Sequence, residues 1–291
     1  EWELAVSVLG KMWSRKVKPN EVSYTSAIEA CSQGGALQVG LEIYEEMQRF
    51  DVRPTRATFD TLIGIAMRDR KFWPLALLSV QEMRASRVDP DVGVYTNAMQ
   101  ACQTAFEWGA GLRTQSEHVY RLMDTMEYDG LQPNSRTFAV AMNACERAGD
   151  WEQVLSYLED LKRRRLQADE VIYGTALSAC QDSLKLELAQ DLVDAMRHDG
   201  LTLGTVHYTS LITSYEKASQ WQRALGVAEE MRENGVARNV ITFTAIICAY
   251  GRAGLWQEAL STLLDMERDG EEPNLLAYAA LVVACASAKR W

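Results

Sequence analysis

The chain repeats itself every 35 residues from one end to the other, and this period constrains the fold more than any other property. Placed in register, the sequence divides into a half-unit, 1–20, and seven units: 21–55, 56–91, 92–134, 135–169, 170–204, 205–239 and 240–274. A second half-unit, 275–291, closes it. The fourth residue is aromatic in every unit: Tyr24, Phe59, Tyr95, Phe138, Tyr173, Tyr208, Phe243 and Tyr278. Toward the end comes methionine, at Met12, Met47, Met83, Met126, Met196, Met231 and Met266, with Leu161 in the remaining unit. A period of this length predicts a solenoid, in which each unit rests on its neighbours and the array presents an extended binding surface.

Within a unit the apolar residues follow helical spacing. Ile241, Phe243, Ile246, Ile247 and Tyr250 lie on one face of a first helix, and Gly251-Arg252-Ala253-Gly254 breaks it. Trp256, Ala259, Leu260, Leu263, Leu264 and Met266 mark a second helix. Glu272-Pro273-Asn274 then turns the chain, because proline cannot continue a helix. The expectation is an all-α solenoid of stacked antiparallel helix pairs. Trp2, Trp151, Trp221, Trp256 and Trp291 recur at the start of the second helix, and Trp73 joins them after a one-residue insertion. Their spacing to the following leucines assigns them to the core rather than to base stacking. Cys31, Cys102, Cys145, Cys180 and Cys285 share the eleventh place, and Cys248 is a ninth residue. No C-x-x-C pair occurs, so the cysteines read as small core residues in a reducing compartment, with neither metal nor cofactor.

The tetratricopeptide signature is missing from every unit. Val-Ile-Thr-Phe-Thr-Ala-Ile-Ile at 240–247, Val-His-Tyr-Thr-Ser-Leu-Ile at 206–212, Trp-Gln-Glu-Ala-Leu at 256–260 and Glu-Glu-Met at 45–47 and 229–231 resemble the pentatricopeptide repeat family in its plain 35-residue form. That resemblance covers the whole chain. It implies a right-handed superhelix and single-stranded RNA as partner, at about one base per unit, in mitochondria or chloroplasts. It also implies that the fifth and last residues of a unit read the base. Those places hold Thr25 with Thr55, Asp60 with Asp91, Thr96 with Asn134, Ala139 with Asp169, Gly174 with Gly204, Thr209 with Asn239, and Thr244 with Asn274. Threonine with asparagine is the family's combination for adenine. Aliphatic second residues, here Val22, Val171, Val206, Ile241 and Leu276, are implied to wedge the bases; Ala57, Gly93 and Arg136 depart from this. Cations at the thirteenth place, Arg68, Arg147, Lys217 and Arg252, are implied to face phosphate.

Net charge of −10 is unusual for a chain expected to bind phosphates. The first fourteen residues of the first-helix segments carry six cations against eight anions, so most of the acid lies on second helices and turns. This leaves two function classes open. One is RNA binding through base contacts; the other is a protein scaffold, such as a subunit of an organellar ribosome or other large complex. An insertion around 106–113, with Trp108, and the acidic outer face are the candidate protein-binding surfaces. Three scattered histidines supply no catalytic constellation, so no enzymatic activity is expected. No apolar run is long enough to insert into a membrane. Both ends fall in mid-unit, which suggests a portion of a longer array, with any targeting peptide beyond it.

Overall fold

In the computed structural model, residues 2–104, 112–183 and 185–287 are described; the expected loop with Trp108 lies outside them. Sixteen α-helices and no strand occur among the described residues. After α1 (Trp2–Ser14) come α2 (Glu21–Gln33), α3 (Leu37–Arg49), α4 (Arg56–Arg68), α5 (Trp73–Ala85), α6 (Val92–Thr104) and α7 (Leu112–Tyr128). Next are α8 (Ser135–Arg147), α9 (Trp151–Arg163), α10 (Glu170–Ser183), α11 (Leu186–His198) and α12 (Thr205–Lys217). The last four are α13 (Trp221–Glu233), α14 (Val240–Ala253), α15 (Trp256–Arg268) and α16 (Leu275–Ser287). The even-numbered helices start on the first residue of each period. The chain forms two compact units, Glu1–Ala144 and Cys145–Trp291.

A first helix packs on its own second helix and on the first helix of the next repeat: α2 on α3 and α4, α4 on α5 and α6, α10 on α11 and α12, α12 on α13 and α14, and α14 on α15 and α16. Phe243, Ile247, Ala259, Leu263, Met266, Ala277 and Ala284 show the result, one buried cluster shared by α14, α15 and α16. The fourth-place aromatics and the methionines of α3, α5, α7, α11, α13 and α15 are fully or almost fully buried. Each such side chain contributes about 1.5–3 kcal/mol. Tyr278 is the exception among the aromatics and stands exposed, since no later helix covers it among the described residues. Close packing needs small residues: a Cβ on Gly40 of α3 would already touch Cys31 and Ile65 at 3.4 Å. Cys31, Cys102, Cys145 and Cys180 are buried. The tryptophans differ from expectation, because Trp73, Trp151, Trp221 and Trp256 are only half-buried. Trp73 meets His118 of α7 at 5.3 Å, the Lys185 Nζ sits 5.0 Å from the Trp151 ring, and Trp256 packs against the cluster of α14, α15 and α16. An indole packs one face and keeps its rim in water.

Second helices end alike. The residue four after each methionine, or after Leu161, adopts a left-handed conformation, and the next N–H bonds back to the methionine or leucine carbonyl. Gly235 (φ 65°) is followed by Val236 N–H donating to Met231 O at 3.1 Å. Glycine meets this need at Gly130, Gly200, Gly235 and Gly270, whereas Lys16, Asp51, Arg87 and Arg165 adopt it with a side chain. This turn sets the angle at which the next first helix begins. A single 3₁₀ turn, Arg70–Phe72, takes up the extra residue of unit 56–91, and Pro74 stands in the opening turn of α5, where its missing N–H has no partner to lose.

Candidate functional site

In five of the seven repeats the side chain of the last residue caps the first helix of the next. Its side-chain oxygen accepts from the N–H three residues on: Asp91 from Val94, Asn134 from Thr137, Asp169 from Ile172, Asn239 from Thr242 and Asn274 from Ala277, each at 2.9 Å. Asn20 does the same for Ser23 at 3.0 Å. Capping by itself selects Asn, Asp, Ser or Thr at these places. Both kinds of residue cap through an oxygen, but only asparagine keeps an NH2 donor to offer elsewhere.

The fifth residue is drawn toward that cap by a residue the sequence did not single out, the third of the following repeat. The Thr209 hydroxyl meets Thr242 Oγ1 at 2.6 Å, and Thr242 Oγ1 donates to Asn239 Oδ1 at 2.8 Å. A second chain runs from Thr96 through Thr137 at 2.9 Å to Asn134 Oδ1 at 3.0 Å. A third joins Thr25 to Thr58 at 2.7 Å and Thr58 to Thr55 at 3.2 Å. In each, the fifth and last residues of one repeat are tied through a buried threonine of its neighbour. The recurrence of Thr58, Thr137 and Thr242 at one register was the available signal.

The remaining pairs are not joined in this way. Thr244 Oγ1 turns back to Val240 O at 2.7 Å, and Ala277 occupies the third place of the next repeat, so no hydroxyl links Thr244 to Asn274. Asp60 and Asp91 share Arg56, which pairs with Asp91 and lies 3.8 Å from Asp60 Oδ2. Burial lifts the Asp60 carboxyl above its usual range against the pull of Arg56. Asp91 is held below that range, first by the Val94 N–H and then by Arg56. Asp169 caps α10, and the half-buried Ala139 carries no hydroxyl.

The five aliphatic second residues all stand in water: Val22 63%, Val171 64%, Val206 59%, Ile241 60% and Leu276 66% exposed. The aromatic two positions on is buried in four of these five repeats. A concavity of about 600 Å³ beside α14 and α16 is lined by Thr244, Arg252, Leu276 and Val283, so one residue of each implied role meets there. The cations carry a second duty. Arg252 Nη1 donates to Glu216 O at 2.7 Å and Ser219 Oγ at 2.9 Å, and the guanidinium pairs with the Glu216 carboxylate at 2.9 Å. Arg68 donates likewise to Ser32 O. Each closes the C-terminal end of the preceding first helix, where a cation is favoured. Arg147 and Lys217 are exposed. Among the described residues no cluster of three His, Cys, Asp or Glu is placed to hold a metal, and no helix is long and apolar enough to cross a membrane.

Three family models match the sequence: the pentacotripeptide-repeat region of PRORP over residues 3–170, the pentatricopeptide repeat domain over 191–253, and the PPR repeat family over 238–287. The chloroplastic pentatricopeptide repeat-containing protein 10 of Zea mays is 31% identical over 80 residues, 28% of this chain and 10% of that protein. The mitochondrial 15S rRNA processing factor CCM1 of Yarrowia lipolytica is 31% identical over 160 residues, 51% of this chain and 19% of its own length. Among solved structures, maize PPR10 in complex with an 18-nt psaJ RNA element matches 99% of this chain and 46% of its own, with a TM-score of 0.57 at 19% identity. Without RNA the same maize protein gives a TM-score of 0.61 at 20% identity, over 99% of this chain and 45% of its own. The PPR domain of Arabidopsis thaliana PRORP1 in complex with tRNA matches 70% of this chain and 98% of its own, with a TM-score of 0.55 at 15% identity. At these identities the structural likeness is one of fold. The chain spans roughly a tenth to a quarter of the length of the curated relatives it matches.

Proposed function

Because the chain belongs to the pentatricopeptide repeat family, we propose that it binds single-stranded RNA and serves organellar RNA metabolism: processing, stability or translation. Residues 1–291 are taken as one array that reads RNA 5′ to 3′ from its N-terminal end, about one base per repeat. It acts by binding rather than by catalysis. Relatives carrying chloroplastic and mitochondrial names support one of those two compartments.

The observation that carries this reading is the hydroxyl chain from Thr209 through Thr242 to Asn239. Capping occupies the Asn239 Oδ1, so the amide meets a ligand with its NH2 donors. A fixed donor favours a base whose Watson–Crick edge presents a ring-nitrogen acceptor, as adenine N1 and cytosine N3 do. Guanine N1–H and uracil N3–H oppose it. Val206 and Ile241 flank this place as exposed aliphatic surfaces against which bases can stack. Titration of labelled RNAs bearing AA or UU opposite repeats 205–239 and 240–274 tests the reading. AA is expected to bind more tightly, and equal affinities would refute base reading there.

A second reading, a protein scaffold within a large organellar assembly, is favoured by Arg68 and Arg252, which are already engaged by backbone carbonyls of the protein. Crosslinking in native material separates the two. RNA adducts on the first helices support RNA binding, and crosslinks to protein alone support the scaffold.

A further inference from the structure

Repeat 170–204 has glycine at both reading places, Gly174 and Gly204, and a neighbour has taken over the space. His207, the third residue of the next repeat, is 4% exposed. Its Nδ1 accepts from the Gly204 N–H at 3.0 Å, so the proton resides on Nε2, which donates to Glu170 O at 2.8 Å. Both polar atoms of the ring are thereby spent on backbone. The imidazole packs against both glycines. A Cβ on Gly174 would lie 3.5 Å from His207 Nε2 and 3.6 Å from Val206 Cγ1, and one on Gly204 would lie 3.7 Å from Nδ1. A methyl group makes ordinary contact at these distances, so the ring lines the space into which a longer side chain at either place would extend. Val171 and Val206 remain exposed on either side.

We infer that repeat 170–204 holds a nucleotide between Val171 and Val206 without reading its base, and that His207 is the residue that removes the selectivity. The inference rests on the RNA-binding reading above. Where the other chains place a threonine hydroxyl between the fifth and last residues, this junction places a ring with no free donor or acceptor. The array therefore contains a built-in tolerant position immediately 5′ of the base facing Thr209 and Asn239.

The intact chain provides the test. Fluorescence anisotropy is measured on two RNA series, one varying the nucleotide opposite 170–204 through all four bases, the other varying the nucleotide opposite 205–239. The expected result is affinities within about twofold in the first series and an adenine preference of about fivefold or more in the second. A preference of fivefold or more in both series overturns the inference and leaves RNA reading intact. Uniform affinity in both overturns the base reading on which the inference depends. The triple variant Gly174→Thr/Gly204→Asn/His207→Thr restores the hydroxyl chain and is expected to create adenine preference at 170–204. A folded variant, by circular dichroism, that remains indifferent there would also overturn the role given to His207. The four-base series on the unsubstituted chain decides the matter even if the variant does not fold.

Discussion

Replacing Thr242 with valine isolates the hydroxyl relay from everything else at the site. The side chain is fully buried, and valine keeps its β-branched shape while removing the hydroxyl. Three hydrogen bonds disappear: two short ones, to Thr209 Oγ1 at 2.6 Å and to Asn239 Oδ1 at 2.8 Å, and a long one from the Asn239 N–H at 3.5 Å. At a net 0.5–1.5 kcal/mol for each short bond, the loss is about 1–3 kcal/mol, toward the upper end because the buried Thr209 hydroxyl loses a partner. Urea unfolding followed by circular dichroism should register that cost, compared at midpoints because repeat arrays need not unfold in two states. The functional effect should fall on the preceding repeat. If the relay is worth about one hydrogen bond to the bound base, near 1 kcal/mol, adenine preference opposite 205–239 should drop roughly fivefold. Preference opposite 240–274 should persist, since Thr244 bonds to Val240 O and not to Thr242. Unchanged selectivity at 205–239 despite lost stability would reduce the relay to a structural bond. A loss at 240–274 instead would refute the assignment of Thr242 to its neighbour's site.

Arg252→Ala should weaken RNA binding uniformly across sequences and reduce the slope of log affinity against log salt by about one, measured by titration at several salt concentrations. An unchanged slope would leave Arg252 as a helix-end cap only. Gly235→Ala, which forces a side chain into the left-handed region at φ 65°, should cost about 1–2 kcal/mol, whereas Arg87→Gly at φ 57° should recover part of a similar strain. Opposite shifts in thermal midpoint are the expected sign, and shifts in the same direction would refute the strain argument. Burial pushes the Cys102 thiol up to about 12 and the Cys180 thiol up to about 11, above their unfolded values near 8.5. A raised thiol pKa contributes stability that is present below about pH 8.5 and lost as pH rises toward these folded values. The chain should therefore lose stability above about pH 9, and a thiol reagent at pH 8 should label Cys102 and Cys180 only after unfolding; prompt labelling in the native state would refute their burial.

The exposed second residues were legible because they recur. Val22, Val171, Val206, Ile241 and Leu276 break the apolar-in pattern at one register, and their exposure follows from the same helical period that buries Tyr24, Tyr173, Tyr208 and Phe243. The tryptophans were read less well. Their spacing places them on the buried side of a helix but does not reveal that each keeps part of its indole in water. The pair Thr244 with Asn274 looks identical to Thr209 with Asn239 in the sequence, yet the two differ because Ala277 stands where Thr242 does.

The sequence alone determined the helix pairs, their register and the face each presents, since capping residues, glycine stops and apolar period are properties of a few consecutive residues. Tertiary structure decided what the reading places can do. The groups that hold a fifth residue against a last residue come from the next repeat, more than thirty residues along the chain, and only stacking brings them together. Stacking makes Thr242 a link between Thr209 and Asn239 and sets the His207 ring against Gly174 and Gly204. Hydrogen bonds act over about 3 Å, so residues at matching places in the period remain independent until the fold makes them neighbours.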